Sequence, residues 1–386
     1  MIFIKNAKIY TMKDRVIEGG SILISEGKIK EVGEKLDCPK DAEVVDAGGR
    51  MLTPGFVEAH CHLGMWEDAI GFEGSDGNET TDPITPQLRA IDAINPMDRT
   101  FREAREGGVT TAVTGPGSAN VIGGTFAAIK TYGQRIDDMI IKEPVAMKIA
   151  FGENPKRVYN SKDKSPVTRM ATASLLRETL FKAKAYMDKK DDKDTSKHPE
   201  FDMKLEALVP VMKREIPLKA HAHRADDIFT ALRIAKEFNL DITLDHCTEG
   251  HLIADELVKE GRAAIVGPSF GDRSKFELKN LTFDTPKVLV EAGLKIAITT
   301  DSPVTPLQYL PLCAGLAHKA GLDEMEALKA ITINPAEIIG IDNRVGSIEV
   351  GKDADLVIFD KNPLKDIDCE TFMTMIDGKI VYKKED

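Results

Sequence analysis

Apolar and polar positions alternate in short runs at both ends of the chain, whereas its middle carries continuous apolar runs separated by helical periodicities. Near the N-terminus Ile2-Phe3-Ile4, Lys8-Ile9-Tyr10, Ser21-Ile22-Leu23-Ile24, Lys28-Ile29-Lys30-Glu31-Val32 and Glu43-Val44-Val45 read as strands. Breaks at Glu26-Gly27 and Gly33 suit antiparallel hairpins. Asp355-Leu356-Val357-Ile358-Phe359 and the stretch from Phe372 to Tyr382 read the same way. Each set is too small to fold alone, so residues 1–52 and 345–386 are expected to make one small β-sandwich together.

Residues 53–344 form the second expected unit. Strands are predicted near 55–61, 109–114, 122–130, 145–151, 216–221, 241–246, 263–267 and 295–300, with helices at 95–106, 167–188, 224–238, 249–260, 284–292 and 304–320. The fold class is therefore α/β, with a distorted (β/α)8 TIM barrel of parallel strands beside the sandwich. The segment 131–144 is the weakest βα unit. Residues 64–88, rich in Gly and Pro, make a long loop of the kind that covers barrel mouths, and 189–198 is a mixed-charge solvated loop.

Composition narrows the class of protein. A net charge of −11 disfavours nucleic acid as a partner. With no apolar run near ~18 residues and no export signal at the N-terminus, a cytoplasmic enzyme off the membrane is expected, and a homo-oligomer with a small-molecule substrate. Five scattered cysteines, never in a C-x-x-C spacing, suggest reduced thiols.

The chemistry is carried by strand ends. Pro54-Gly55-Phe56-Val57-Glu58-Ala59-His60-Cys61-His62 is an apolar run closed by two histidines, which alternation puts on one face, as two donors to one metal ion. His221, His246 and Asp301 close three further predicted strands, and in a parallel barrel these ends share one mouth. His223 lies two residues beyond His221. His198, His251 and His318 are read as structural.

With these residues and the closing Gly346-Ser347-Ile348-Glu349-Val350-Gly351-Lys352-Asp353-Ala354-Asp355-Leu356-Val357, the chain resembles the amidohydrolase superfamily of metal-dependent hydrolases, closest to its imidazolonepropionase-like and prolidase-like branch. Glu58 departs from the Asp usual there. The resemblance implies one or two divalent cations, Zn2+ first, with Fe2+, Mn2+ or Co2+ as alternatives. His60, His62, His221, His246 and Asp301 would be ligands, bridged by Glu153 or by a carboxylated Lys148; of these two, Glu153 is preferred because it closes its strand and needs no modification. Cleavage of an amide, peptide or cyclic amide C–N bond by metal-activated hydroxide would follow, with Asp301 moving the proton and His223 steadying the oxyanion. Arg157 and Arg224, near the expected mouth, are candidates to hold a substrate carboxylate. A heterocycle deaminase and a non-catalytic oligomeric scaffold are the alternatives.

Overall fold

The computed structural model describes residues 1–384. Its strands in chain order are β1 (Ile2–Tyr10), β2 (Val16–Ser25), β3 (Lys28–Gly33), β4 (Glu43–Asp46), β5 (Met51–Pro54), β6 (Phe56–Cys61), β7 (Val109–Thr114), β8 (Ile122–Lys130), β9 (Ile140–Ala150), β10 (Leu218–Ala222), β11 (Ile242–His246), β12 (Ala264–Val266), β13 (Ile296–Ile298), β14 (Leu356–Phe359), β15 (Thr371–Ile376) and β16 (Lys379–Lys383). The helices used below are α1 (Glu153–Asn160), which follows β9, α2 (Leu310–Lys319) and α3 (Ile333–Ile339).

The two chain ends share one sheet, ordered β16-β15-β14-β5-β1-β2-β3 with β4 also on β1. Its apolar positions, among them Ile4, Ile9, Ile22, Leu52, Leu356, Ile358 and Met373, bury a core of their own. That burial, shared between distant segments, is what neither end could achieve separately.

The second sheet is the barrel, ordered β13-β12-β11-β10-β9-β8-β7-β6. One strand departs from expectation. β8 runs antiparallel to both β7 and β9, not parallel. The reason is loop length: residues 115–121 and 131–139 are too short for the crossover of a dozen or more residues that parallel neighbours require.

Between β13 and β6 side chains close the barrel. The buried Glu58 carboxylate accepts from Thr300 N (2.8 Å), Thr300 Oγ1 (2.7 Å) and His60 N (2.9 Å), and Thr299 Oγ1 donates to His60 O at 2.6 Å. Glu58 thus straps the end of the last strand to the first, and points away from solvent at the level of the histidines. On the outer side of β6, Val57 and Ala59 pack with Ala336 and Ile339 of α3. Inner and outer faces therefore alternate along β6 as strand geometry dictates. Among the described residues, no helix is long and apolar enough to cross a membrane.

Lys130, at the end of β8, joins the two sheets. It is 3% exposed, and its Nζ lies 2.9 Å from Asp353 Oδ2 and 2.5 Å from Asp355 Oδ2, with Asp377 Oδ1 at 3.3 Å. Removing one partner of a buried ion pair leaves the other charge desolvated, at a cost of about 3–5 kcal/mol. Lys130→Met is accordingly expected to lower the denaturant midpoint markedly, measured by urea unfolding. An unchanged midpoint would show that the cluster contributes no net stability.

Candidate metal centre and cleft

Five histidines, Lys148 and Asp301 meet at the end of the barrel where β6, β10 and β11 finish. Among the described residues, two groups bring donor atoms within 4.8 Å of one another: His60, His62 and Asp301, and His221, His223 and His246. Ring centroids of His60 and His246 lie 5.1 Å apart, so the two groups adjoin.

Hydrogen bonds to backbone carbonyls decide which nitrogen of His62 and of His246 is free. His62 Nδ1 faces Gly115 O at 2.7 Å and His246 Nδ1 faces Gly267 O at 2.8 Å. A carbonyl only accepts, so each Nδ1 carries the proton and each Nε2 keeps its lone pair. His60 Nδ1 lies 2.9 Å from Asp245 Oδ2, in an oblique contact that assigns its proton the same way. Its Nε2 faces Asp301 Oδ1 at 3.4 Å, and His62 Nε2 faces the same oxygen at 3.1 Å. His221 Nδ1, His246 Nε2 and Asp301 Oδ1 are buried without hydrogen-bond partners. Buried polar atoms are ordinarily paired, so this set of lone pairs turned inward fits a divalent cation.

Burial reinforces that chemistry. It pushes the His60 pKa down to about 4, with the neighbouring Lys148 adding to the effect, and it lowers the pKa of His223 to about 3. Both rings are neutral at physiological pH, as donors must be. Burial works against the Asp301 charge, yet His246, His60 and His62 hold its carboxyl well below the usual range. Backbone strain is concentrated here too: His246 (φ 72°), Cys247 (φ 47°) and Asp301 (φ 52°) are left-handed. Strand alternation would send Asp245 and His246 to opposite faces. The left-handed turn at His246 lets both reach the barrel interior.

The structure places Lys148, not Glu153, beside the histidines. Lys148 Nζ is fully buried and 3.3 Å from His60 Nε2, and burial lowers its pKa to about 8. Glu153 opens α1, and its Oε1 accepts from Glu277 N at 2.9 Å, so its carboxylate is engaged away from the cluster. Three residues that sequence reasoning missed surround the donors. Lys219 and Asp245 pair inside the barrel at 3.2 Å and support His60, and buried Glu277 sets Oε1 3.8 Å from both His221 Nε2 and His223 Nε2. Burial opposes the Glu277 charge, but His221 and His223 bring its pKa down to about 2. An Asp directly before a strand-end His was the one available signal for Asp245. Glu277 lies in a single 3-10 turn, Phe276–Leu278, outside every predicted element, and offered none.

These groups open on a cleft of about 590 Å3, lined among others by His62, Trp66, Asn78, His223, Lys275 and Asp301. Neither Arg157 nor Arg224 lines it. Arg157 is exposed, and Arg224 is paired with Asp226 through two hydrogen bonds of 2.9 and 2.8 Å. Lys275, on the loop after β12, is the basic residue that reaches the cleft lining. A larger cavity of about 890 Å3 lies between α2 and the end sheet and includes His318, but no donor cluster. His251, His318 and His198 are engaged with Thr285 Oγ1, Leu322 O and Asp192 O.

Fold and site define a barrel enzyme built around a histidine-rich candidate cation centre. The amidohydrolase family model matches residues 51–381, and the chain belongs to that family, in its imidazolonepropionase-like branch. It is a hydrolase acting on C–N bonds. "Amidohydrolase tasK" of Hapsidospora irregularis is 32% identical over 375 residues, 89% of this chain but 38% of tasK, so the chain spans well under half of that relative. An imidazolonepropionase of Symbiobacterium thermophilum is 26% identical over 398 residues, covering 90% of this chain and 85% of that one. The crystal structure of an amidohydrolase from Thermotoga maritima MSB8 superimposes with a TM-score of 0.96 at 42% identity, over 100% of both chains.

Proposed function

We propose that this enzyme hydrolyses an amide, peptide or cyclic amide bond in a small carboxylate-bearing substrate, using one or two divalent cations, Zn2+ first. The observation that carries the reading is the set of inward-facing lone pairs on His60, His62, His221 and His246. These four, with Asp301 and Lys148, are the residues that would hold the cations. Bound there, a cation supplies Lewis acidity and makes a water acidic near neutral pH.

The protein's own side chains do the rest. Asp301 faces both the donors and the cleft, so its carboxylate takes the proton of the attacking water and passes it to the leaving nitrogen. His223 lines the cleft and steadies charge developing on the carbonyl oxygen. Lys275 meets the substrate carboxylate, the role expected of Arg157 and Arg224. Its side chain is 25% exposed, and a hydrogen bond to a charged group contributes about 1.5–3 kcal/mol, or ~10–100-fold in binding.

The test is a panel of N-acyl amino acids, dipeptides and cyclic amides, each with its methyl ester, assayed for new amine and carboxylate. The free acids are expected to turn over best. Lys275→Met should raise KM for the acid by about 10-fold or more and leave the ester nearly unchanged. Ammonia as the product would favour a deaminase, and better turnover of neutral compounds would remove the carboxylate assignment.

A further inference from the structure

We propose that Glu277 is a positioning residue for the candidate centre: its carboxylate takes the Nε2–H of His221 and thereby leaves Nδ1 of that ring as the donor toward the cation. The inference rests on the metal-dependent reading above and adds to it a residue from the loop after β12.

Glu277 is 1% exposed and fully committed on one side. Its Oε2 accepts from Glu153 N at 2.9 Å, while its own N–H donates to Glu153 Oε1 at 2.9 Å. This reciprocal pair staples the β12 loop to the end of β9. Gly152 makes the room: it is left-handed (φ 79°), and a Cβ there would stand 2.5 Å from Glu277 Oε2. The geometry is thus built around a carboxylate at this spot.

The other oxygen has no such partner. Oε1 is buried without a hydrogen bond, yet it is 3.8 Å from His221 Nε2, 3.8 Å from His223 Nε2 and 3.9 Å from Lys275 Nζ. These contacts exceed a hydrogen bond by about 0.9 Å, a gap that catalytic contacts close when a site is loaded. A carboxylate oxygen only accepts, so its demand is for a proton on Nε2 of His221.

Asn154 makes the opposite demand. Its Nδ2 lies 3.5 Å from the same Nε2, and donating there would force the proton onto Nδ1 and abolish the donor. One of the two hydrogens on that amide nitrogen goes to Ser118 Oγ at 2.7 Å, and the 3.5 Å contact to His221 is the longer of the two. The charged acceptor outweighs the shared neutral donor, so Glu277 sets the tautomer. Outer partners of this kind commonly carry ~10–100-fold of metal affinity.

Glu277→Gln keeps the size of the side chain and an amide oxygen to accept from Glu153 N; it removes the charge and turns the group facing His221 from an acceptor into an N–H donor. The full chain is stripped with chelator and reloaded with Zn2+ against a competing chromophoric chelator, and its histidine tautomers are read from 15N NMR of the stripped protein. One cation equivalent is expected to weaken by about 10–100-fold, with His221 moving away from the Nε2–H form and the thermal midpoint unchanged. If Glu277→Gln does not fold, Glu277→Asp, which keeps the charge but withdraws it by one methylene, should show the same loss. Unchanged affinity and an unchanged tautomer in a folded variant would overturn the proposal. A wild-type chain that binds no divalent cation would instead remove the metal reading on which it rests.

Discussion

Asp301→Asn is expected to abolish measurable turnover, a loss on the order of 10²–10⁴-fold, while the protein keeps most of its cation. Asp301 Oδ1 sits 3.1 Å from His62 Nε2 and 3.4 Å from His60 Nε2, and the residue also lines the cleft, so it touches both the donor cluster and the space for substrate. An amide cannot carry the proton from water to leaving nitrogen. The remaining donors, His60, His62, His221 and His246, are untouched, which is why cation content should survive. Asparagine is the better substitution than alanine because the residue is left-handed at φ 52°, a conformation Asn tolerates. Metal analysis beside steady-state kinetics checks both halves. A fully active Asp301→Asn or Asp301→Ala protein would sink the mechanism.

Lys148→Met is expected to cost more cation than any outer residue does, beyond the ~10–100-fold of affinity that loss of a supporting partner brings. Lys148 lies inside the barrel with Nζ against His60, and Phe126 stands 5.5 Å from it as the apolar wall. Burial brings its pKa down to about 8, so a large fraction of neutral amine exists at mildly alkaline pH. A neutral amine can attack carbon dioxide: the Nζ–C bond forms, one proton leaves, and the product would be a carbamate anion beside His60. Because the folded pKa is depressed, the amine available for this step increases as pH rises through about 8. Native mass spectrometry in bicarbonate should show the added mass of one carbon dioxide in the wild type and not in Lys148→Met. A short carboxylic acid is expected to restore part of the activity to Lys148→Ala. Glu153→Gln should keep its cations; if it lost them and Lys148→Met did not, the assignment would revert to Glu153.

Much of this was legible because strand ends are local events. His60, His62, His221 and His246 are each the terminal polar residues of an apolar run, and such runs announce themselves by period and length. The family resemblance followed from those residues and the closing motif around Asp353 and Asp355. The direction of β8 was also open to reading, since seven residues at 115–121 cannot house a crossover, although apolarity alone suggested another parallel unit.

Side-chain partnership was less accessible. Glu153 and Lys148 are five apart on one segment, and alternation says only that they face opposite ways. Lys148 lies within β9 and is held by its strand pairing, whereas Glu153 lies beyond the strand in α1, where its carboxylate meets the N–H of Glu277, 124 residues later. Arg224 sits beside a strand end as expected, but Asp226 two residues on takes its guanidinium, leaving Lys275 to reach the cleft.

The amino-acid sequence by itself determined the two-part architecture, the barrel and the identity of most candidate donors, because hydrophobic period and strand termini are properties of contiguous residues. The tertiary structure alone decided the proton position on His62 and His246, the placing of Lys148 beside His60, the strap made by Glu58 and the place of Glu277. Those depend on which acceptor stands within about 3 Å of which nitrogen, and that distance is set by the packing of segments that lie far apart in the chain.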